Sequence, residues 1–576
     1  MSKYVDYMCK LSLTELEGYL GEDIIEALVE WDLSGESSIT RERVARMIDS
    51  IYGASMLSNS DFRRDLIMTM DKKTLFDIRD NSLLGREKDE TDPYILIEII
   101  SSKPWGKNVV SRYLLKVLEL STAILEKGTC DTEVCLDIES GERFYELLDY
   151  QYYIKQRVLN TLNSGNKQER MLIHMPTGTG KTKTSMHIVT NYIEFTLQKS
   201  GLIVWVAHTT ELLQQAYDTF VDVWKNLGDG SIKAYRLWGV YNVSNTDDAM
   251  EGIAFCGLAK LMSMKSSNPK FFERLKRDCR LLVFDEAHKA SAHKTQQIIE
   301  ELLRMPKGYE NRALIGLSAT PGRTTQQSSD NNLLSNMFGN KLIYIDSIIL
   351  NQINYGRLQA LNQIAETNII RYFQRRRILA KMDVQRLNYE KEFSQQELNV
   401  LSSDLRDMGF DEKEYTEKQL KVLATNKSRN KAIMIRLKEL NRDGVPTIVF
   451  ACSVQHAKML SAMLTLDEIP NSLILGEMNP VDRKHAIDDF KNRDSKVNTI
   501  INYEVLTTGF DSKNIRCVFI TRPTKSIVLY SQMLGRGLRG PMMGGNESCT
   551  LIDINDNLES FDNETAFFHF DDYWRR

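Results

Sequence analysis

This chain is poor in the features that mark secreted, membrane-spanning and metal-stapled proteins. Its 576 residues include only eight cysteines, at positions 9, 130, 135, 256, 279, 452, 517 and 549. No paired Cys-x-x-Cys spacing offers four ligands to zinc; Cys130 and Cys135 are the one close pair, and two ligands do not close a structural site. Free thiols scattered in this way predict a reducing, cytoplasmic compartment. Nowhere do 18 uncharged apolar residues run together, and the opening "MSKYVDYMCKLSLTELEG" carries charges inside its first apolar stretch, so neither a membrane span nor a signal peptide is expected. A global excess of positive charge is missing too: 74 Lys and Arg against 78 Asp and Glu leave a formal charge of -4. Any surface for a polyanion must therefore be local.

At this length one hydrophobic core does not suffice, and roughly three or four units are expected. Residues 1–140 read as helical: Ser12 and Glu15 have capping-box spacing, and Ile24, Ala27, Leu28 and Trp31, like Leu114, Val117, Leu118 and Leu125, recur at helical period. No chemical motif falls there, which suits a helical domain for docking or regulation. From about residue 148 the texture changes to short apolar runs, "RMLIHM", "LIVWVA", "IAFC", "RLLVFD" and "ALIGLSAT", separated by helical stretches. The rhythm returns from about 446 in "PTIVFAC", "SLILG", "NTIINYE", "RCVFIT" and "TLIDIN". Two α/β domains with parallel sheets are predicted, at 141–345 and 441–576. Residues 346–440 read as a helical connector or insertion, with a second capping box at Ser394 and Glu397. It contains "RYFQRRR", whose Arg371, Arg375, Arg376 and Arg377 beside Tyr372 and Phe373 suit phosphates and bases, a solvated helix face being the alternative. The segment "FDNETAFFHFDDYWRR" past 560 is expected to pack on the second α/β domain.

The chemistry sits at the ends of the apolar runs. "MPTGTGKT", residues 175–182, follows a strand and opens a helix, the context a phosphate-binding loop requires. Gly178 and Gly180 let the backbone of Thr177–Thr182, Thr179 included, turn its N–H groups toward phosphate oxygens. Lys181 supplies a point charge, and Thr182 offers a hydroxyl to Mg²⁺. Met175 stands where the generic pattern has Gly. "RLLVFDEAH" ends a strand on Asp285 and Glu286, placed to hold Mg²⁺ and to orient and deprotonate a water, respectively. Ser318 and Thr320 of "LSATP" can hydrogen-bond that acidic pair. Near the C-terminus "SQMLGRGLRGP" sets Gln532, Gly535, Arg536 and Arg539 in a Gln-x-x-Gly-Arg-x-x-Arg pattern, with arginines suited to charge spreading over a γ-phosphate.

Taken in order, "LLDYQ", "MPTGTGKT", "VAHTTELLQQ", "DEAH", "SAT", "IVFACSVQHA", "NYEVLTTGFD" and "QMLGRGLRG" resemble the motifs of the superfamily 2 helicases and translocases over about residues 145–560. The flavour is that of the branch containing RadD, XPB and restriction motor subunits, although the four letters Asp-Glu-Ala-His match the DEAH box. The resemblance implies tandem RecA-like domains and an ATP hydrolase using ATP and Mg²⁺, with Thr182 and Asp285 on the metal. It implies Gln151 on the adenine, Gly178, Gly180, Lys181 and Thr182 on the phosphates, and Gly509 and Asp511 on the nucleotide from the second domain. Glu286 would be the base, Arg536 and Arg539 arginine fingers, and Ser318, Thr320 and Gln532 coupling residues. His208, Thr209, Cys452 and Thr507 fall in motifs that lie along the nucleic-acid backbone. DNA is the expected track, with a role in repair, restriction or antiphage defence and a protein partner, such as a nuclease, docked through the N-terminal helices. A nucleotide-gated switch and an RNA-remodelling helicase stay open as alternatives. Two departures stand out: Gly257, near which the family often has Thr, and the lack of the cysteine cluster that RadD carries.

Overall fold

The structure, a computed structural model, describes residues 2–556 apart from 33–38, 126–133, 142–144, 166–167, 240, 242–248, 291, 305–311, 323–328, 346–368, 403–414, 479, 493, 508–509, 511 and 525. Gly509, Asp511 and the segment past 560 thus lie outside the described residues.

The first sheet uses β1 (Cys135–Ile138), β2 (Arg170–His174), β3 (Leu202–Ala207), β4 (Ile232–Leu237), β5 (Gly252–Gly257), β6 (Cys279–Asp285), β7 (Ala313–Ser318) and β8 (Leu342–Ile343). Its spatial order is β1-β4-β5-β3-β6-β7-β2-β8. Every pairing is parallel except that of β1 with β4. All six side chains of "LIVWVA" in β3 are buried, the continuous apolar run of a strand covered on both faces. Cys135–Ile138 of the expected helical domain is in fact a strand on this sheet's edge.

The second sheet comprises β9 (Lys381–Leu387), β10 (Thr447–Phe450), β11 (Asn471–Ile474), β12 (Thr499–Asn502), β13 (Cys517–Ile520) and β14 (Ser548–Ile554). Its order is β11-β12-β10-β13-β14-β9, all parallel. β9 departs from expectation, because it takes a segment of the helical connector into the second sheet. The rest of that connector, where described, carries helices Glu417–Thr425 and Lys427–Arg442, and the Ser394–Glu397 capping box forms. Tyr372 and Phe373 are buried, Phe373 against Tyr150, and Arg376 pairs with Asp149. That corrects their reading as a stacking platform for bases: the aromatics of "RYFQRRR" fasten the connector to the first domain.

Alternation along β10 explains how the units join. Ile448 and Phe450 enter a core with Tyr530, Met533 and Leu534 that continues into the first domain. Val449 and Ala451, on the other face, share a core with the N-terminal helices. Those helices fold as a unit, tied by the Ser12–Glu15 capping box and by buried Arg63, which donates to the carbonyls of Leu57 and Ser101 at 2.7 and 2.9 Å. Helices Glu22–Asp32 and Arg41–Tyr52 rest on helix Val454–Leu466 of the second domain. The seam is pinned by Trp31 donating to Asp467 at 3.1 Å, by Lys438 over the Trp31 ring and by Glu30 with Lys427. Among the described residues, no helix is long and apolar enough to cross a membrane.

Candidate active site

The strand order places the motifs. β3, β6, β7 and β2 are neighbours, and at their carboxyl ends stand His208, Asp285–Glu286, Ser318 and the glycine-rich loop, where open parallel sheets gather ligands. Met175 fits where Gly was expected, because it is buried and its N–H donates to Ser318 O at 3.2 Å, extending the β2–β7 register into the loop. Gly178 and Gly180 have φ of +86° and +82°, a conformation that turns successive N–H groups inward and that glycine adopts without strain. Helix Lys181–Asn191 begins immediately after.

Three side chains brace this loop from behind. Tyr150 and Gln151 both donate to Thr179 O, at 2.6 and 3.0 Å, while Gln151 Oε1 accepts from Leu148 N at 3.0 Å. Thr179 donates to Pro176 O at 2.7 Å. Gln151 is 1% exposed, so its first role is to hold the loop; one amide hydrogen remains for a base. Tyr150 was missed in the sequence, though it adjoins Gln151 in "LLDYQ".

Lys181 Nζ lies 3.9 Å from Asp285 Oδ1. Burial pushes the Asp285 carboxyl upward, against the pull of Lys181. Burial also opposes ionisation of Glu286, but the positive field of Lys181 and Arg536 outweighs it and holds this carboxyl low. A carboxylate kept ionised in a dry corner is what a water-activating base needs. Glu286 sits at φ +55° and ψ +55°, a left-handed conformation that costs a non-glycine residue energy and aims its side chain off the end of β6. Thr182 and Asp285 are the donors available to a cation. Among the described residues no cluster of three or more His, Cys, Asp or Glu could cage a metal. One carboxylate and one hydroxyl fit a Mg²⁺ delivered on phosphate oxygens.

His288 was named in the motif but given no role. It is buried, with Nδ1 3.3 Å from Glu286 Oε2 and Nε2 3.5 Å from Gln532 Nε2. Burial drives its pKa down to about 4. With Nε2 accepting from the Gln532 amide, the proton sits on Nδ1, which faces Ser318 Oγ at 3.5 Å and the Glu286 carboxylate at 3.3 Å. Gln532 of the second domain thus approaches Glu286 of the first through one imidazole. Ser318 is also within 3.5 Å of His288 Nδ1, while its hydroxyl accepts from Thr320 N at 3.0 Å. His174, at the foot of the loop, is 3.1 Å from Ala319 O.

The second domain's "GRGLR" turn lies on the loop. A methyl group at Gly535 would fall 2.6 Å from Thr177 Cγ2, and one at Gly178 would fall 3.6 Å from Arg539 N. Arg536 donates to the carbonyls of Gln532 and Phe510, and its field reaches Glu286. Arg539 bridges Leu379 through its backbone. The phosphate loop, the acidic pair, Arg536 and the backbone of Arg539 therefore converge from two domains.

The four expected strand contacts divide. Thr209 and Thr507 line an interdomain cavity of about 440 Å³ with Glu211, Lys289, Arg483 and Gln532. Arg483 spans it to Glu211 at 2.6 Å. Cys452 does not reach such a surface: it is fully buried, its thiol donates to Thr521 O at 2.9 Å, and burial pushes its pKa up to about 11. His208 is half-buried, its ring edge-on to Phe284. Gly257 is N-cap of helix Leu258–Ser267, and a methyl there would press on Trp238 at 3.3 Å, which gives this departure a packing reason.

Residues 144–323 match the family described as type III restriction enzyme, res subunit, and residues 429–540 match the helicase conserved C-terminal domain. IRC3 of Saccharomyces cerevisiae, itself assigned only provisionally as an ATP-dependent helicase, is 24% identical over 414 residues, 71% of this chain and 51% of that protein. The Escherichia coli type I restriction enzyme EcoAI endonuclease subunit is 24% identical over 430 residues, 72% of this chain and 47% of its own. The chain spans about half the length of these curated relatives. A solved structure of the ATP-dependent type ISP restriction-modification enzyme LlaBIII bound to DNA aligns at 16% identity with a TM-score of 0.47, over 75% of this chain and 30% of that one.

Proposed function

The chain belongs to the superfamily 2 helicases, and from that premise we propose that it is an ATP-driven motor on DNA, of the restriction-motor kind rather than the DEAH-box kind. The observation that carries the reading is the convergence of "TGTGKT", Asp285–Glu286 and "GRGLR" across two sheets, because a site completed only by domain closure makes closure depend on nucleotide. Lys181, Thr182 and the backbone of Thr177–Gly180 hold the phosphates of ATP. Mg²⁺, held by Thr182 and Asp285, neutralises charge on those phosphates when bound. Glu286 orients a water and takes its proton; His288 fixes the Glu286 carboxylate and registers Gln532. Arg536, and Arg539 with it, meets the charge that spreads over the γ-phosphate. Gly509 and Asp511 contribute nucleotide contacts from the second domain.

A strand crosses the interdomain cavity past Thr209 and Thr507, with Arg483 and Lys289 near its phosphates. The relatives named for restriction subunits support DNA as the track and suggest work in restriction, repair or defence beside a nuclease. ATP-driven displacement of a third strand from a triplex on duplex DNA tests the motor. ATP hydrolysis without any displacement would instead favour a nucleotide-gated switch, a reading supported by the core that the N-terminal helices share with the second domain.

A further inference from the structure

We propose that His208 is a positioning residue that couples occupancy of the interdomain cavity at Thr209 to the orientation of Glu286; the inference rests on the nucleic-acid-driven reading above. The family motif suggested a strand contact; the half-buried ring instead packs on Phe284. Its Nδ1 is buried with no hydrogen-bond partner. The ring stands edge-on to Phe284, with centroids 5.6 Å apart and planes at 84°, and Phe284 is the residue before Asp285 in β6. Lys289 and Glu286 act electrostatically on the imidazole, and the imidazole acts on His288. Burial keeps it neutral, with a pKa near 4, so it offers no cation to a phosphate.

The next residue faces the other way. Thr209 lines the cavity and caps helix Thr210–Leu227, its hydroxyl accepting from Leu212 N at 3.3 Å. One peptide unit therefore separates the wall of the cavity from the corner where water is activated. A displacement of the capped helix end as a strand enters moves the imidazole against β6. A buried nitrogen without a partner is a group that a second arrangement can satisfy, and such a two-state contact is what coupling between sites requires.

ATP hydrolysis by the full chain, with and without saturating single-stranded DNA, tests this in His208→Ala, His208→Asn and Phe284→Leu, alongside strand affinity by fluorescence anisotropy and thermal melting to verify folding. The expected result is a strand Kd close to wild type, a loss of roughly tenfold or more in the ratio of stimulated to unstimulated kcat for His208→Ala, and partial recovery in His208→Asn. Phe284→Leu, which keeps β6 apolar but removes the ring contact, should lower the same ratio and keeps the test alive if His208→Ala does not fold. A weaker Kd with an unchanged ratio at saturation would make His208 a strand contact and overturn the proposal. Equal loss with and without strand would overturn it as well. A wild-type enzyme that no nucleic acid stimulates would instead remove the functional reading on which it rests, before any variant is compared.

Discussion

Gly535→Ala is the sharpest test of how the two domains meet. Gly535 has φ -56° and ψ -20°, a conformation any residue adopts, so alanine brings no backbone strain. Its methyl would lie 2.6 Å from Thr177 Cγ2 and 2.8 Å from Thr177 Cβ, where carbons ordinarily rest about 3.5–4.0 Å apart. Relief therefore takes about 1 Å of movement. Thr177 belongs to a loop braced by Tyr150 and Gln151, whereas Gly535 lies on another domain that can be pushed back as a body. The overlap itself costs about 1–3 kcal/mol. The larger effect is on rate, because a displacement of about 1 Å at reacting groups can cost on the order of 10²-fold. Steady-state ATP hydrolysis should show kcat lower by roughly one to two orders of magnitude, with nucleotide binding largely kept, since the phosphate loop is intact. Adding Thr177→Gly, which removes the atoms the methyl would meet, should restore much of the rate in a double-mutant cycle. An unimpaired kcat in Gly535→Ala would refute the packing of the "GRGLR" turn on the phosphate loop.

Further outcomes follow from the same geometry. Lys181→Ala should abolish turnover, whereas Glu286→Gln should bind a fluorescent ATP analogue yet fail to hydrolyse ATP; near wild-type turnover in either would mean the site is misplaced. Arg536→Ala should likewise retain nucleotide binding and lose hydrolysis, and an unchanged rate would remove its role as a finger. Asp49 lies at the seam of the N-terminal unit, where burial and the charge of Asp482 raise its pKa to about 6. A raised carboxyl pKa means the folded state holds the proton more tightly, so the ionised group destabilises above about pH 6 and ceases to do so as pH falls toward its unfolded value near 4. Asp49→Asn should thus stabilise the protein by on the order of 1–3 kcal/mol in urea unfolding at pH 8 and have little effect at pH 4; equal effects at both would contradict the assignment.

Much of this molecule could be read from sequence because parallel strands buried on both faces leave unbroken apolar runs. All ten runs singled out, from "RMLIHM" to "TLIDIN", are strands or strand ends. "KMDVQRL" escaped because β9 is an edge strand with none of its residues buried, each being exposed or half-exposed, so no apolar period marks it. The docking of the N-terminal unit was invisible for another reason: Trp31 lies hundreds of residues from its partners Lys438 and Asp467, and the three carry no local pattern. That the phosphate-loop, acidic and arginine motifs would meet was legible because backbone geometry and chemistry demand particular residues at fixed offsets. Side-chain direction was not, since a motif names a strand end without saying which way each side chain turns. Cys452 and His208 were assigned to a nucleic-acid surface on motif position alone; packing buries Cys452 and lays the half-buried His208 ring against Phe284.

Whether the chain is an ATP-driven motor on DNA is decided by the ATPase rate of the full chain without nucleic acid and then with single-stranded DNA, duplex DNA or RNA. DNA should stimulate hydrolysis, and the stimulation should disappear in Arg536→Ala. A rate unchanged by all three would contradict the motor, and preference for RNA would contradict the DNA assignment.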